Sequence, residues 1–168
     1  RPALDVSGWA HRVSEVDFFD GHDYTQDPQQ LLSRYGPEDV RPGIVPNGEG
    51  EWVYHNRETS IVYRGQPFFL SEFGGIKWVP QDQRGALDEK AWGYGESPET
   101  IDAFYERFEA MCQGLMQNPL HMGFCYTQLT DVFQEVNGIF TFDRTPKFDH
   151  ERLRKTLHAK AAIEEGRD

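Results

Sequence analysis

The sequence predicts an α/β fold built on a parallel sheet, and three observations carry that expectation. From about residue 16 onward, short apolar segments without internal charge alternate with segments of helical periodicity. The apolar segments are uncharged on both sides, as strands of a parallel sheet covered by helices are. The helical segments announce their ends with capping residues and prolines. At 168 residues, 38% hydrophobic and 27% charged, the chain has the material for one ordinary domain with a core, and it reads as a single unit over 1–168.

Taken in order, Ala3 to Val6 is the first strand candidate and Val16 to Phe19 the second. Too few residues separate them for a comfortable crossover helix. Asp27-Pro28 is an N-cap followed by proline at the first helical position, starting a helix through QQLLSRY that stops at Gly36. Residues 37–66 break the alternation. There Asn47-Gly48-Glu49-Gly50 reads as a turn, and WVY and SIVY as parts of a small surface excursion. Pro67 to Leu70 is the third strand. Ser97-Pro98 repeats the helix-start signal and launches a stripe of Ile101, Phe104, Tyr105, Phe108, Met111, Cys112 and Leu115, one buried face at helical spacing. Asn118-Pro119 ends it. Met122 to Tyr126 is the fourth strand, and Asp149 caps a last helix through Leu153, Leu157 and Ala161.

Composition excludes some partners and favours others. A formal charge of −11 argues against a nucleic-acid backbone or an anionic membrane surface, and a neutral ligand fits better. No stretch approaches the roughly 20 apolar residues of a membrane-spanning helix. Twelve Phe, seven Tyr and four Trp are more aromatic material than a core requires, and aromatic-rich loops often line sites for sugars. Cys112 and Cys125 are the only cysteines and read as buried small hydrophobes, which suits a reducing compartment such as the cytoplasm. The chain opens on RPALDVSGW with no initiator methionine or signal-peptide pattern, so its targeting is not legible.

In parallel α/β folds chemistry gathers at the carboxyl ends of the strands. Here those ends carry Trp9 and His11; then Asp20, His22, Asp23 and Tyr24; then Ser71, Glu72, Phe73, Gly74 and Gly75; then Tyr126, Gln128 and Asp131. Ordinary contact with water explains Asp20, Asp23 and Asp131 as well as function does. It explains Trp9, His22, Tyr24, Glu72 and Tyr126 together less well. A carboxylate flanked by an imidazole, a phenol and aromatic faces suits carbohydrate chemistry, since aromatic planes stack on sugar C–H faces and a carboxylate can attack an oxocarbenium-like centre. No metal-ligand spacing, GxSxG elbow or glycine-rich phosphate loop is present, so no metal and no cofactor is expected.

PFFLSEFGG, a long loop with WGYG, then MGFCYTQLTD and NGIFTFDRTPK, in that order, closely resemble glycoside hydrolase family 2, and the likeness covers nearly the whole chain. That family holds β-galactosidases, β-glucuronidases and β-mannosidases on an eight-stranded (β/α) barrel. The resemblance implies a partial TIM barrel, its C-terminal half, with strands resembling the fifth to the eighth. It implies that Glu72, in an SE-G context at the end of the seventh strand, is the nucleophile. Tyr126 stands where the family often has a tryptophan platform, and His22 and Tyr24 stand where the sixth strand supplies groups near the nucleophile. Trp9 and Trp92 complete the expected substrate-binding set. Trp78 and Trp92 either wall the pocket or pin the long loop, and Lys77 and Arg84 are either site cations or solvated loop charges.

One departure matters most. The family's acid/base is a glutamate, usually after asparagine, on the fourth strand, and this chain has no Asn-Glu pair. A complete barrel takes roughly 250 residues, so the chain reads as half of one. Asp131, on the adjacent strand-end loop, is a poor substitute acid. The resemblance therefore implies a fragment of a retaining exo-β-glycosidase, with β-galactosides the favoured substrates, and inactive alone. Its partners would be a carbohydrate and the rest of the barrel. The competing expectation is a non-catalytic half-barrel acting as a folding or self-association unit, a homodimer through exposed strand edges.

Overall fold

A computed structural model describes residues 1–35, 44–45, 51–52, 60–61, 63, 66–85 and 89–165. Among them the order is β1 (Phe19–Asp23), α1 (Pro28–Tyr35), β2 (Ile44–Val45), β3 (Glu51–Trp52), β4 (Phe68–Gly74), a 3-10 turn (Gln81–Gln83), α2 (Ile101–Met116), β5 (His121–Thr127), α3 (His150–Leu157) and α4 (Ala162–Glu165). β1, β4 and β5 form an open three-stranded sheet in that order, parallel throughout. The fold is mixed α/β, as the alternating pattern predicts. β2 and β3 make a separate antiparallel pair. The turn expected at 47–50, the stop at Gly36, Val53 and Tyr54 of WVY and Val62 of SIVY lie outside the described residues.

The helices start where their caps dictate. Asp27 Oδ1 accepts from the backbone N–H of Gln29 and Gln30, at 2.8 and 3.4 Å, satisfying the open first turn of α1. Asp149 does the same for Glu151 and Arg152. For α2 the cap is Thr100, whose hydroxyl accepts from Ala103 N–H at 3.1 Å, so the helix begins after the Ser97-Pro98 signal rather than on it. α3 stops at Leu157 instead of continuing through Ala161, and α4 follows as a separate turn.

Three strand expectations need correction, each for the same physical reason. Ala3 to Val6 is not a strand. The Asp5 carboxylate accepts from the N–H groups of Arg12 and Val13 at 2.7 and 3.0 Å, closing the segment into a loop, a local alternative to sheet pairing. The comfortable-crossover problem disappears with it. The second strand begins at Phe19, where the apolar segment ends, and runs through Asp20, His22 and Asp23, all buried. The third runs on past Leu70 through Ser71 and Glu72. Hydropathy stops at a charge, but strands continue through charges that find partners. Asp20 Oδ1 lies 2.9 Å from His11 Nε2, and His11 Nδ1 lies 2.6 Å from Asp5 Oδ1. Burial alone would lower the His11 pKa; the hydrogen bonds to Asp20 and Asp5 outweigh it and raise the value.

Helices cover one face of β4 and β5, where coverage of both was expected. Phe68, Leu70 and Phe73 point into a core with Leu31 and Tyr35 of α1, Phe104, Phe108, Met111 and Leu115 of α2, and Leu153 of α3. Phe148 stacks on Phe104 at 3.9 Å between centroids, and Arg152 caps Tyr105 while pairing with Glu109, which fastens α3 to α2. On the other face, alternation places Phe69, Ser71 and Gly123, all half-buried, and Cys125, which is exposed. Cys125 is therefore not the buried hydrophobe its strand position suggested, whereas Cys112 is. At β1 the loop around His11 covers this second face. No helix among the described residues is long and apolar enough to cross a membrane.

His121, at the start of β5, is 4% exposed, its ring 5.2 Å from Phe68 and 5.5 Å from Tyr35. Burial pushes its pKa down to about 4. Below its ordinary value of 6.5 the unfolded chain binds a proton that the folded chain refuses. Stability is therefore lost as pH falls from about 6.5 toward 4, by about 3 kcal/mol from this group. Urea unfolding at several pH values should show this slope, and His121→Leu should flatten it. An unchanged slope in the variant would refute the assignment.

Candidate functional site

The site begins with an irregularity in strand pairing. Gly21 of β1 faces Leu70 of β4, but the next residue, His22, faces Glu72, so Ser71 is skipped as a bulge. The Ser71 hydroxyl occupies the gap, donating to Gly21 O at 3.3 Å. A bulge re-aims the side chains that follow it, and here it turns Glu72 toward β1. The Tyr24 hydroxyl donates to Glu72 Oε2 at 2.5 Å, and His22 Nδ1 lies 3.2 Å from the same oxygen. A carboxylate only accepts, so Nδ1 carries the proton and Nε2 faces Ser7 Oγ at 3.5 Å. The Glu72 side chain is still 37% exposed, whereas His22 is 6%. One face of the carboxylate is thus held and the other is open to a ligand.

Burial first, and the hydrogen bond to Glu72 second, push the Tyr24 phenol well above its ordinary pKa of 10. It stays a neutral donor at any physiological pH. Tyr94 stacks on it at 3.6 Å and 7°, and Trp92 meets Tyr94 edge-on at 6.1 Å. On the other flank Trp9 meets His22 edge-on, also at 6.1 Å. Trp9 and Trp92 are 58% and 48% exposed. The expected residues Glu72, His22, Tyr24, Trp9 and Trp92 therefore form one connected group.

Tyr126 is not brought to the carboxylate. Its ring packs edge-on against Phe73 and Phe108, at 5.7 and 5.2 Å, and its hydroxyl accepts from Ile76 N–H at 3.1 Å. Its place in the expected sugar platform is taken by a core role. Trp78 is likewise a pin, buried against Phe104, with its backbone N–H donating to Val136 O. Arg84 lies over the Trp78 ring at 5.5 Å rather than at Glu72.

The other strand-end carboxylates separate cleanly from Glu72. Asp20 is held by His11. Asp23 pairs with Arg34 at 2.8 Å. Asp131 pairs with the fully buried Lys147 ammonium at 2.9 Å and accepts from Gly138 N–H. Burial raises the Asp131 pKa, with Lys147 opposing. These three are structural pairs, and Asp131 is committed to Lys147. Among the described residues no group of three or more His, Cys, Asp or Glu could hold a metal ion.

Several contributors escape sequence reading. Tyr94 was visible only as part of WGYG. Gln26 donates its amide to the carbonyls of Tyr24 and Gly74, tying the exits of β1 and β4 together. Glycines make room: at Gly8 (φ 70°) a Cβ would lie 2.0 Å from the His22 ring, and at Gly75 (φ 63°) 2.4 Å from Tyr94 and 3.0 Å from Tyr24. Glycine there is required both by the left-handed backbone and by the neighbouring rings. No protein-family model matches the chain, and no curated protein matches it.

Gly75→Ala should therefore cost at least about 1–2 kcal/mol, from the left-handed backbone alone, and pry apart the Tyr24–Tyr94 stack. Urea unfolding and aromatic NMR shifts of the two tyrosines would measure both effects. A variant as stable as the parent, with unmoved tyrosine resonances, would contradict this placement.

Proposed function

We propose that this chain carries the nucleophile side of a retaining β-glycosidase site, with Glu72 as the nucleophile and β-galactosides as the favoured substrates. The observation that carries the reading is the half-open Glu72 carboxylate at the end of the central parallel strand. It is gripped on one oxygen by Tyr24 and His22 and flanked by the exposed indoles of Trp9 and Trp92. The resemblance of PFFLSEFGG and its companion motifs to glycoside hydrolase family 2 points the same way. So does the architecture. Sequence-ordered parallel strands with helices packed along one face of β4 and β5 are what the C-terminal half of a (β/α)8 barrel would present.

In this reading Tyr24 and His22 bind Oε2, which leaves Oε1 to attack the anomeric carbon. A C–O bond forms to Glu72 as the bond to the leaving oxygen breaks, and water later releases the sugar. Departure of an ordinary alcohol needs a second carboxyl group about 5–5.5 Å away to donate a proton. Asp20, Asp23 and Asp131 are each committed to a basic partner; in this reading the acid belongs to the rest of the barrel and the chain alone turns over poorly. Trp9 and Trp92 offer faces for sugar C–H groups.

A substrate whose leaving group departs as an anion removes the need for the acid. With 2,4-dinitrophenyl 2-deoxy-2-fluoro-β-galactoside, the chain should release dinitrophenolate and retain one fluorosugar, mapped by mass spectrometry to the peptide bearing Glu72. Glu72→Gln should slow labelling by on the order of a thousandfold or more. Absence of label, label on another residue, or undiminished labelling of Glu72→Gln would sink the reading.

The open face of β4 and β5, with the outer edges of β1 and β5 unpaired among the described residues, favours a second reading in which two copies associate. Sedimentation at micromolar concentration should then give a dimer mass. A monomer would discard it.

A further inference from the structure

Ser7 completes a second constellation around the same imidazole. Its hydroxyl lies 3.5 Å from His22 Nε2, while His22 Nδ1 lies 3.2 Å from Glu72 Oε2. With the carboxylate accepting from Nδ1–H, Nε2 is the basic nitrogen of the neutral ring, and it is the one that meets the hydroxyl. A hydroxyl, an imidazole and a carboxylate in that order, each oriented by the group behind it, are the geometry of nucleophilic acyl transfer. Such sites are defined by contact and role rather than by position in the chain, so the absent GxSxG elbow does not decide the matter. The contact from Ser7 to Nε2 is long for a hydrogen bond, as catalytic contacts often are before a substrate arrives.

The surroundings fit this chemistry. The Asp5 carboxylate closes residues 5–13 into a loop, accepting from Arg12 and Val13 N–H and meeting His11 Nδ1, and Ser7 is carried within that loop. Gly8 seats the loop on the imidazole: a Cβ there would lie 2.2 Å from His22 Nε2, so any side chain would push Ser7 off the ring. Gly8 is buried, yet its N–H donates to no group among the described residues. Buried N–H groups are almost always paired. The N–H that directly follows a nucleophilic serine is a donor to the oxyanion in acyl transfer, and a ligand there would supply the missing acceptor. Ser7 itself is exposed, whereas His22 is 7% exposed, so the nucleophile meets solvent and its base is shielded. The exposed indole of Trp9, edge-on to His22, offers an apolar surface beside them. A half-open Glu72 carboxylate on a chain of charge −11 repels anions, which leaves an uncharged ester as the fitting substrate.

We propose that Ser7, His22 and Glu72 form a nucleophilic triad with which this chain cleaves uncharged carboxylic esters. Ser7 Oγ bonds to the ester carbonyl carbon as its proton passes to His22 Nε2. The bond to the alkoxy oxygen then breaks, that oxygen takes the proton from Nε2, and the alcohol departs from an acyl-Ser7. Water attacks the acyl carbon by the same route, giving the carboxylic acid and free Ser7. Glu72 Oε2 accepts from Nδ1–H throughout and offsets the imidazolium charge. The glycosidase reading uses the other oxygen, Oε1, and neither activity depends on the other. Diisopropyl fluorophosphate, which phosphorylates an activated serine hydroxyl as fluoride leaves, tests the triad on the full chain. The adduct should map by mass spectrometry to the peptide bearing Ser7, and 4-nitrophenyl acetate should be hydrolysed. Ser7→Ala should lose the adduct, and Glu72→Gln, which no longer fixes the tautomer, should form it more slowly; each should slow ester hydrolysis at least about a hundredfold. Thermal melts check that both variants are folded, and should one fail to fold, the mapped adduct on the unaltered chain decides alone. No adduct, an adduct on another residue, or undiminished rates in either folded variant would overturn the triad. Fluorosugar label on Glu72 without a Ser7 adduct removes this activity alone, and a Ser7 adduct without fluorosugar label removes the glycosidase reading alone.

Discussion

The parallel pairing of β1 on β4, with its bulge at Ser71, is the constraint on which the rest of the site depends. Without the skipped residue, His22 would face Ser71 and Glu72 would turn away from β1. With it, one carboxylate meets a phenol and an imidazole that arrive from 48 and 50 residues earlier in the chain. A charge at a strand end is tolerated there because it is half-solvated and hydrogen-bonded on its buried side. The neighbouring backbone is shaped to match. Gly8 clears space for the His22 ring, and Gly75 for the Tyr24–Tyr94 stack, so the glycines after Glu72 form part of the wall rather than a mere turn.

This geometry requires a firm base, which the aromatic core supplies from one face only. Phe68, Leu70 and Phe73 anchor β4 against α1 and α2, and the stacked Phe104–Phe148 pair draws the C-terminal segment in over α2. The second face is handled differently from strand to strand. Beneath β1 it carries charge, and the Asp5–His11–Asp20 network satisfies that charge within a loop. At β4 and β5 it carries the half-buried Phe69 and Gly123 and the exposed Cys125.

The long loops are organised by the same economy of buried pairs. Asp131 and Lys147 neutralise each other under the 128–147 segment, and the ladder from Trp92 to Gln134 and Val136 binds that segment to the loop after β4. Trp92, Phe133 and Phe142 are exposed, although the backbone on either side of them is hydrogen-bonded into this segment. Tyr126 shows the opposite outcome: placed by its strand near the site, it turns into the core because Phe73 and Phe108 offer its ring a packed slot and Ile76 offers its hydroxyl a donor.

Local signals in the sequence determined the helices, their capping aspartates, the buried stripe of α2 and the parallel α/β class, because periodicity and caps act over a few residues. They also singled out Glu72, His22, Tyr24, Trp9 and Trp92 as unusual strand-end chemistry. What they could not decide was set by contacts between residues far apart in the chain. Hydropathy ended β1 before Asp20 and β4 before Ser71, since it cannot know that His11, Arg34, Tyr24 and His22 will be present to receive the charges. For the same reason the sequence left Asp131 a poor candidate acid without saying what it does instead, until Lys147 met it, and Ala3 to Val6 looked like a strand until Asp5 folded back on Arg12 and Val13. Which carboxylate is free to act, and which is a structural counter-ion, is a question of partners; in this protein only the tertiary structure brings the partners together.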